Sequence, residues 1–292
     1  MSRLSRELAE GRFVVTGEVG PPLGTDTGAM ERAAAVMAPV CTAINVTDNQ
    51  GATLHMSSIA ASVRLAALGY EPVFQQTCRD RNRLALQSDL LAASAMGLEN
   101  LLVVTGDDPR SGDHPHAKGV FDLDSTQLLG FASGMIEGHD LRGRPIDGPT
   151  GFYLGGALFP EAEPWDIQLM KADKKVAAGA RFFQTQAVFD LDKLARATEA
   201  MHEIGAKVIA GILLLRSPRV VTFINERLAG LEVPEPIGRR ISQAAVPADE
   251  AVDLAVEQVR ACRDICDGVH IMPLGLDARV PEIVQRAGVT AG

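Results

Sequence analysis

Asn100-Leu101-Leu102-Val103-Val104-Thr105-Gly106-Asp107 is an uninterrupted apolar run that ends in a turn glycine and a carboxylate. Branched apolar side chains on successive positions are typical of a strand that is buried on both faces, as in a parallel sheet covered by helices. A stretch with helical apolar spacing precedes this run, from Leu84 to Met96, and ends at Gly97, a residue suited to a helix C-terminus. Together the two segments predict one helix and one strand of an α/β fold.

The same unit recurs along the whole chain. Eight apolar runs, each followed by turn or polar residues, cover residues 13–18, 43–48, 71–77, 100–106, 152–158, 182–186, 208–213 and 268–273. Helical patterns lie between them, for example from Ser57 to Leu68 before Gly69. Eight parallel strands with intervening helices close naturally into a barrel. We therefore predict an α/β fold of the (β/α)8 TIM-barrel class, with residues 1–292 forming a single catalytic domain.

A doubly wound open sheet is the alternative arrangement of these elements. That fold carries a glycine-rich fingerprint after its first strand, where a helix N-terminus binds a pyrophosphate. Here the first strand leads into Gly17-Glu18-Val19-Gly20-Pro21-Pro22, and the prolines argue against such a helix start. The sequence therefore favours the barrel. Its longest insert, residues 107–146, follows the fourth strand and contains a helical pattern near residues 125–136.

Charge and composition narrow the classes of partner. The chain has 292 residues, a net charge of −9, 4% aromatic residues and no long basic run, so we expect no nucleic-acid partner. No apolar stretch approaches the ~20 residues that span a bilayer, and the N-terminal residues predict a short amphipathic helix. We expect a cytoplasmic protein without a membrane partner. Cys262 and Cys266 are interpreted as core thiols on a helix, and no metal site is predicted.

Polar residues that close the strands are candidates for the active site, because such barrels bind their ligands at the carboxyl ends of the strands. Glu18 ends an otherwise apolar strand and could act as a general acid, or be paired with a nearby Arg or Lys. Asp107 could complement a cation or a ring nitrogen, or cap the next segment as an Asx turn. Gln184 and Gln186 alternate with Thr185 and are expected on the same side of their strand, where a heterocyclic ligand would satisfy both amides.

These strand ends resemble those of a known family, the flavin-dependent methylenetetrahydrofolate reductases, and in particular the short bacterial form without a regulatory domain. The resemblance extends from about Leu8 to about Ile283. It is carried by Gly17-Glu18-Val19-Gly20-Pro21-Pro22, Asn45-Val46-Thr47-Asp48-Asn49, Gln76-Thr77-Cys78-Arg79-Asp80, Thr105-Gly106-Asp107, Asp122-Leu123-Asp124, Lys174-Lys175-Val176-Ala177-Ala178-Gly179-Ala180, Gln184-Thr185-Gln186-Ala187-Val188-Phe189-Asp190 and Ala210-Gly211-Ile212-Leu213. Eight motifs in order on the expected strand ends are hard to obtain by chance.

The resemblance implies a barrel that binds FAD across its mouth, with NADH or NADPH and a folate substrate taking turns at the flavin. The implied reaction reduces 5,10-methylenetetrahydrofolate to 5-methyltetrahydrofolate, or runs in reverse. Glu18 matches the family's general acid, and Asp107 matches a carboxylate between flavin and pterin that favours a cationic iminium. Gln186 matches an amide that binds the pterin, with Gln184 beside it. Phe223 falls close to an aromatic residue that packs on the substrate.

The resemblance also implies a set of flavin contacts. They fall on Thr47, Asp48, Gln75, Thr77, Thr105, Gly106, Asp124, Phe159 and Lys175. Among these, Lys175 suits the charge of a pyrophosphate. Thr105 and Gln75 replace an Arg and a His of the commonest bacterial pattern, and Glu163 replaces a His after the fifth strand. Since a charged hydrogen bond contributes ~1.5 to 3 kcal/mol, we expect the flavin to be held more weakly than in that form.

Two other functions are compatible with the same residues. A pterin-binding methyltransferase acting on methyltetrahydrofolate would share the barrel and the ligand, but it needs neither a flavin nor a carboxyl at Glu18. A partner-dependent subunit of a reductase complex would receive its electrons from another protein, and the chain could also form a homo-oligomer. A flavin bound to the purified protein would exclude the methyltransferase.

Overall fold

The structure, a computed structural model, describes residues 1–227 and 231–289. Eight parallel strands follow one another around a closed barrel in chain order, and the last strand pairs with the first. They are β1 (Val14–Val19), β2 (Ala43–Val46), β3 (Pro72–Thr77), β4 (Asn100–Val104), β5 (Tyr153–Leu158), β6 (Phe182–Ala187), β7 (Lys207–Leu213) and β8 (Gly268–Met272). The predicted (β/α)8 TIM-barrel class is confirmed, and each strand ends within two residues of the bounds expected from the sequence.

Helices cover the outside of the barrel. In the described part of the chain they are α1 (Arg3–Ala9), α2 (Gly28–Met37), α3 (Ser58–Ala67), α4 (Arg83–Ala95), α5 (Ser125–Ile136), α6 (Trp165–Ala177), α7 (Leu191–Glu203), α8 (Pro218–Arg227), α9 (Glu235–Gln243), α10 (Pro247–Cys262) and α11 (Val280–Ala287). The helix expected within the long insert after the fourth strand is α5. None of the described helices is both long and apolar enough to cross a membrane.

Helix α1 closes the amino-terminal end of the barrel. Leu4 and Leu8 are fully buried in a cluster with inward residues of six strands, which are Val14, Ala43, Val73, Leu102, Phe182 and Ile209. The carboxylate of Glu71 accepts the backbone N–H groups of Arg3 and Leu4, each at 2.7 Å. These amides belong to the first helical turn, where a negative charge is stabilising. The N-terminal helix predicted from the sequence therefore acts as a plug.

Alternation along the strands makes the opposite end of the interior polar. Val14 of β1 belongs to the inner cluster, whereas Val15 packs in the outer core between sheet and helices. Because side chains alternate between the two faces of a strand, Thr16 and Glu18 follow Val14 into the interior. His270 of β8 lies opposite Thr16 in the strand register and is buried. The carboxyl half of the barrel thus holds polar groups above an apolar floor.

One glycine of β5 has no room for a side chain. A Cβ atom on Gly155 would lie 2.3 Å from the ring of Phe182, which also stacks on Tyr153 with ring centroids 5.0 Å apart. We expect Gly155→Ala to lower the free energy of unfolding by about 1–3 kcal/mol, the usual cost of overpacking, as measured by urea denaturation. The matched control is Gly151→Ala, where nothing lies within 4 Å of the new atom. An equal loss in both variants would contradict the steric explanation.

Candidate active site

A cavity of about 290 Å³ opens at the carboxyl ends of β2 to β6. Its wall includes nine of the fourteen site residues predicted from the sequence, which are Asp48, Gln75, Thr77, Thr105, Gly106, Asp107, Phe159, Lys175 and Gln186. They come from five consecutive strand ends and from α6. The barrel therefore brings residues separated by up to 138 positions in the sequence, from Asp48 to Gln186, onto one surface.

Asp48 joins the ends of two strands. Its buried carboxylate accepts the backbone N–H and the hydroxyl of Thr77, both at 2.8 Å, and pairs with the guanidinium of Arg81 at 2.7 Å. Removing one partner of a buried ion pair typically costs ~3–5 kcal/mol, because the other charge is left uncompensated. Asp48 and Thr77 lie on the cavity wall, but in this structure their polar groups are used to hold the wall together.

Arg79 is a wall residue that the sequence interpretation missed. Its side chain is 2% exposed, and its guanidinium pairs with Asp80 and donates to the backbone oxygen of Asn49 at 3.1 Å. Gly106 packs against it with a φ of +91°, and a Cβ atom there would lie 2.9 Å from Cβ of Arg79. Only glycine combines that conformation with that approach. The available signal was the Arg-Asp-Arg sequence that begins at Arg79, two residues after the end of β3.

Lys175 brings a positive charge to the cavity from α6. Its Nζ donates to the backbone oxygen of Ala157 in β5 at 2.7 Å. Burial lowers the pKa of Lys175 to about 8, and the nearby charge of Lys171 acts in the same direction. Among the described residues no carboxylate forms an ion pair with Lys175. The ammonium is therefore available to an anionic ligand near neutral pH.

Asp107 reaches across the cavity mouth. Its Oδ2 accepts the backbone N–H of Gly51, in the loop after β2, at 3.2 Å. The Asx-turn role considered for Asp107 is wrong, because the neighbouring Asp108 makes that turn by accepting the backbone N–H of Arg110 at 2.9 Å. The carboxylate of Asp107 is exposed and lies on the wall of the cavity.

Glu18 lies inside the barrel rather than on the cavity wall. Its Oε2 is 3.3 Å from Nε2 of His270, and the two side chains are 11% and 4% exposed. The alternative that Glu18 is paired with an Arg or Lys is wrong for the described residues, since the side chain that contacts its carboxyl group there is the imidazole of His270. Sequence reasoning missed His270, although its place in the eighth strand beside the first made the contact possible.

An irregularity in β6 separates the two glutamines. The register with β7 shifts between Gln184 and Ala187, and the hydroxyl of Thr185 bridges it by accepting the N–H of Gly211 at 2.8 Å and donating to the backbone oxygen of Gln186 at 2.6 Å. Gln186 lines the cavity and is exposed, whereas Gln184 is buried and its Nε2 has no partner among the described residues. A buried donor without a partner costs free energy, so an acceptor on a ligand would stabilise it.

The remaining predicted residues lie away from the cavity wall. Thr47 is buried at the end of β2, beside Asp48. Asp124 caps the N-terminus of α5, where its carboxylate accepts the N–H of Gln127 at 2.7 Å. Phe223 lies on α8, the helix expected after the seventh strand, and is 55% exposed. The structure thus gives Asp124 a role in starting a helix and leaves Phe223 free to meet solvent.

Sequence comparison identifies relatives along most of the chain. The family model of methylenetetrahydrofolate reductase matches residues 3–288. A probable methylenetetrahydrofolate reductase (NADPH) of Caenorhabditis elegans is 24% identical, with 80% of this chain and 34% of the relative covered. Methylenetetrahydrofolate reductase 2 of Saccharomyces cerevisiae is 22% identical, with 84% and 42% covered. The chain therefore spans about a third to two fifths of the length of these curated relatives.

Solved structures share the architecture at low sequence identity. A riboflavin lyase with modified FMN and riboflavin has a TM-score of 0.55 at 10% identity, covering 96% of this chain and 93% of the other. A tryptophan synthase from M. tuberculosis has a TM-score of 0.57 at 12% identity, with both chains fully covered. These likenesses show the barrel fold alone. The match of one family model to nearly the whole barrel is more specific, and it shows that the chain belongs to the methylenetetrahydrofolate reductase family.

Proposed function

We propose that this chain reduces 5,10-methylenetetrahydrofolate to 5-methyltetrahydrofolate, with FAD as cofactor and NADH or NADPH as electron donor. The observation that carries the proposal is the cavity at the barrel mouth, where Asp107, Lys175 and Gln186 meet in a chain of this family. A carboxylate, an ammonium and an amide are the groups needed to meet a cationic pterin, a phosphate and a heterocyclic edge, respectively.

The residues present fit a flavin. The exposed amide of Gln186 on the cavity wall can hydrogen-bond the edge of a ring, and the ammonium of Lys175, which has no ion pair among the described residues, supplies positive charge at the wall. The volume of about 290 Å³ lies at the lower end of the usual range for ligand pockets, so it suits one ring system, with the rest of a dinucleotide extending over the rim. When bound, FAD supplies two-electron transfer between the nicotinamide and the folate.

The side chains of the protein have separate roles in this proposal. Glu18, held inside the barrel, donates a proton to the folate nitrogen that is released when the imidazolidine ring opens. The carboxylate of Asp107 stabilises the iminium cation that results, by an electrostatic interaction present before the reaction begins. Gln186 orients the pterin by hydrogen bonds. Acid, counter-charge and orienting group thus come from the ends of β1, β4 and β6.

A methyltransferase acting on methyltetrahydrofolate is the second candidate from the sequence, and flavin binding separates it from the reductase. The source of electrons has its own test. Reduction of the bound flavin by NADH or NADPH alone would support a free-standing reductase. Folate reduction by chemically reduced protein, together with no reaction with either nicotinamide, would instead identify a subunit that receives electrons from a partner protein.

The pKa of Lys175 sets the pH dependence expected for FAD binding. Below about pH 8 the ammonium is charged and attracts the pyrophosphate, and above this pH the charge and the attraction are lost. We expect the affinity for FAD to fall as the pH rises from 7 to 9. Lys175→Met should bind FAD about 10- to 100-fold more weakly at pH 7 and show little of this pH dependence, as measured by fluorescence titration. Lys174→Met, a change of the exposed neighbour, is the control, and equal weakening in both variants would contradict a specific contact.

Glu18→Gln should separate the two half-reactions. The amide keeps the shape of the side chain but cannot donate the acidic proton, so we expect folate reduction to slow by ~100-fold or more. Reduction of the flavin by the nicotinamide should be unchanged. Stopped-flow absorbance measures both steps, with Glu203→Gln, an exposed change at the end of α7, as control. Equal losses in the two half-reactions would mean that Glu18 only maintains the structure.

Asp107→Asn should change the flavin potential and the folate kinetics together. The lost negative charge makes electron uptake by the flavin more favourable, so its reduction potential should rise, and it also removes the stabilisation of the iminium. One unit charge at ~4 Å contributes up to ~4 kcal/mol at an effective dielectric constant near 20. Potentiometry and single-turnover folate reduction measure the two effects, with Asp108→Asn as control. If both quantities are unchanged, Asp107 does not belong to the site.

A further inference from the structure

A chain of polar side chains crosses the barrel interior between β2, β1 and β8. Nδ1 of His270 is 3.0 Å from the hydroxyl of Thr16 and 3.2 Å from Nδ2 of Asn45, and Nε2 of the same ring is 3.3 Å from Oε2 of Glu18. We propose that His270 is a positioning residue for Glu18, which fixes the rotamer of the carboxyl group and keeps the acidic proton on Oε1. The proposal rests on the function proposed for Glu18 above.

The surroundings of His270 leave its ring little freedom. The residue is 3% exposed, and Thr16 and Asn45 are fully buried. Thr16 pairs with His270 in the β1–β8 register, and Glu18 pairs with Asn45 in the β1–β2 register. All four side chains therefore come from three adjacent strands and share the interior of the barrel. A buried imidazole that contacts polar groups on both sides is held in one orientation, and its second ring nitrogen is presented at a fixed point.

The partners of Nδ1 determine which ring nitrogen carries the proton. Nδ2 of Asn45 can only donate, so Nδ1 of the neutral ring accepts from it. The hydroxyl of Thr16 lies within reach of Nδ1 and, at 3.5 Å, of the backbone oxygen of Val269, so its proton can be shared between these two acceptors. The proton of the neutral imidazole is then on Nε2, which faces Glu18. His270 therefore donates a hydrogen bond to Oε2 of Glu18. In histidines generally, the partner of one ring nitrogen decides which of the two nitrogens carries the proton.

This donation has a consequence for the acid. Oε2 of Glu18 accepts a hydrogen bond from Nε2–H of His270, so it cannot at the same time direct an O–H group at that nitrogen. In protonated Glu18 the proton therefore lies on Oε1. Among the described residues Oε1 of Glu18 makes no hydrogen bond, and it is therefore the oxygen free to meet a ligand. Catalytic hydrogen bonds are often long without a ligand and shorten in the complex, which agrees with the 3.3 Å separation of Nε2 and Oε2.

Two substitutions of His270 separate positioning from packing. The amide of His270→Asn can replace the contacts of Nδ1 with Thr16 and Asn45 but is too short to reach Glu18. The longer amide of His270→Gln places a nitrogen where Nε2 stood and can still donate to Oε2. We expect His270→Asn to lower kcat for folate reduction about tenfold with little change in KM for the folate, because one hydrogen bond to the reacting carboxyl is lost.

The other readouts distinguish this effect from loss of structure. His270→Gln should stay within about threefold of the unchanged protein, and both variants should keep the rate at which the nicotinamide reduces the flavin. In a Glu18→Gln background, His270→Asn should cause no further loss, since two residues that act as one unit are not additive. Equal losses in His270→Asn and His270→Gln, in both half-reactions, would show a packing role and overturn the proposal.

The tautomer can be measured without any reaction. In protein labelled with ¹⁵N at histidine, the His270 signals are identified by their absence from His270→Asn, and we expect a protonated Nε2 and an unprotonated Nδ1 in the neutral ring. The opposite tautomer would overturn the proposal. If Glu18→Gln does not slow folate reduction, the general-acid assignment fails and this proposal fails with it. If Glu18→Gln slows folate reduction but His270→Asn does not, only the role of His270 is refuted.

Discussion

Closure of the parallel barrel is the constraint on which the other features depend. In a closed ring of eight strands every second side chain of each strand must enter one shared interior, so the polarity of these positions decides what the interior can do. At the amino-terminal end they are apolar and are sealed by Leu4 and Leu8 of α1. At the carboxyl end they are polar, and Glu18 and His270 meet there at 3.3 Å.

The charges at the barrel mouth fall into two groups. Asp48 and Asp80 are neutralised by Arg81 and Arg79 within the wall, at 2.7 Å in each case. The Asp48–Arg81 pair connects the end of β2 with the segment after β3, and Arg79 joins the same two segments by donating to the backbone oxygen of Asn49. Among the described residues, the side chains of Asp107 and Lys175 instead hydrogen-bond only to backbone groups, the N–H of Gly51 and the oxygen of Ala157, respectively. Within the described part of the chain neither group forms an ion pair, and Asp124 and Arg79 act on Lys175 and Asp107 only from a distance, so both charges can act on a ligand.

The difference between paired and unpaired charges also affects the weak flavin binding that is expected from the sequence. Thr105 and Gln75 stand where the commonest bacterial pattern has charged donors, but Arg79 lies fully buried at the wall beside Gly106. Part of the positive charge that is missing at two positions is therefore present at a third. Because the guanidinium of Arg79 is paired with Asp80, Lys175 is the cation of the cavity wall that is best able to bind a phosphate.

The sequence alone determined the order and number of the strands. Eight apolar runs at regular spacing, with helical patterns between them, predict eight strands because a strand buried on both faces needs an uninterrupted run. The helix within the insert and the plug helix were predicted for the same kind of local reason. The strand ends pointed to Asp107 and Gln186, since parallel strands all present their carboxyl ends at one side of the sheet, and the resemblance to the family supplied the other seven predicted residues of the cavity wall.

Only the tertiary structure decided which of these residues touch. His270 lies 252 positions from Glu18, and no local pattern links them, because β8 meets β1 only when the barrel closes. Asp124 stands in a motif of the family, yet its carboxylate caps α5. Asp108 rather than Asp107 makes the turn after β4, and which of two adjacent carboxylates caps a turn depends on backbone angles that the sequence does not show. Spacing along a chain predicts elements, whereas contacts between distant elements follow from how they pack.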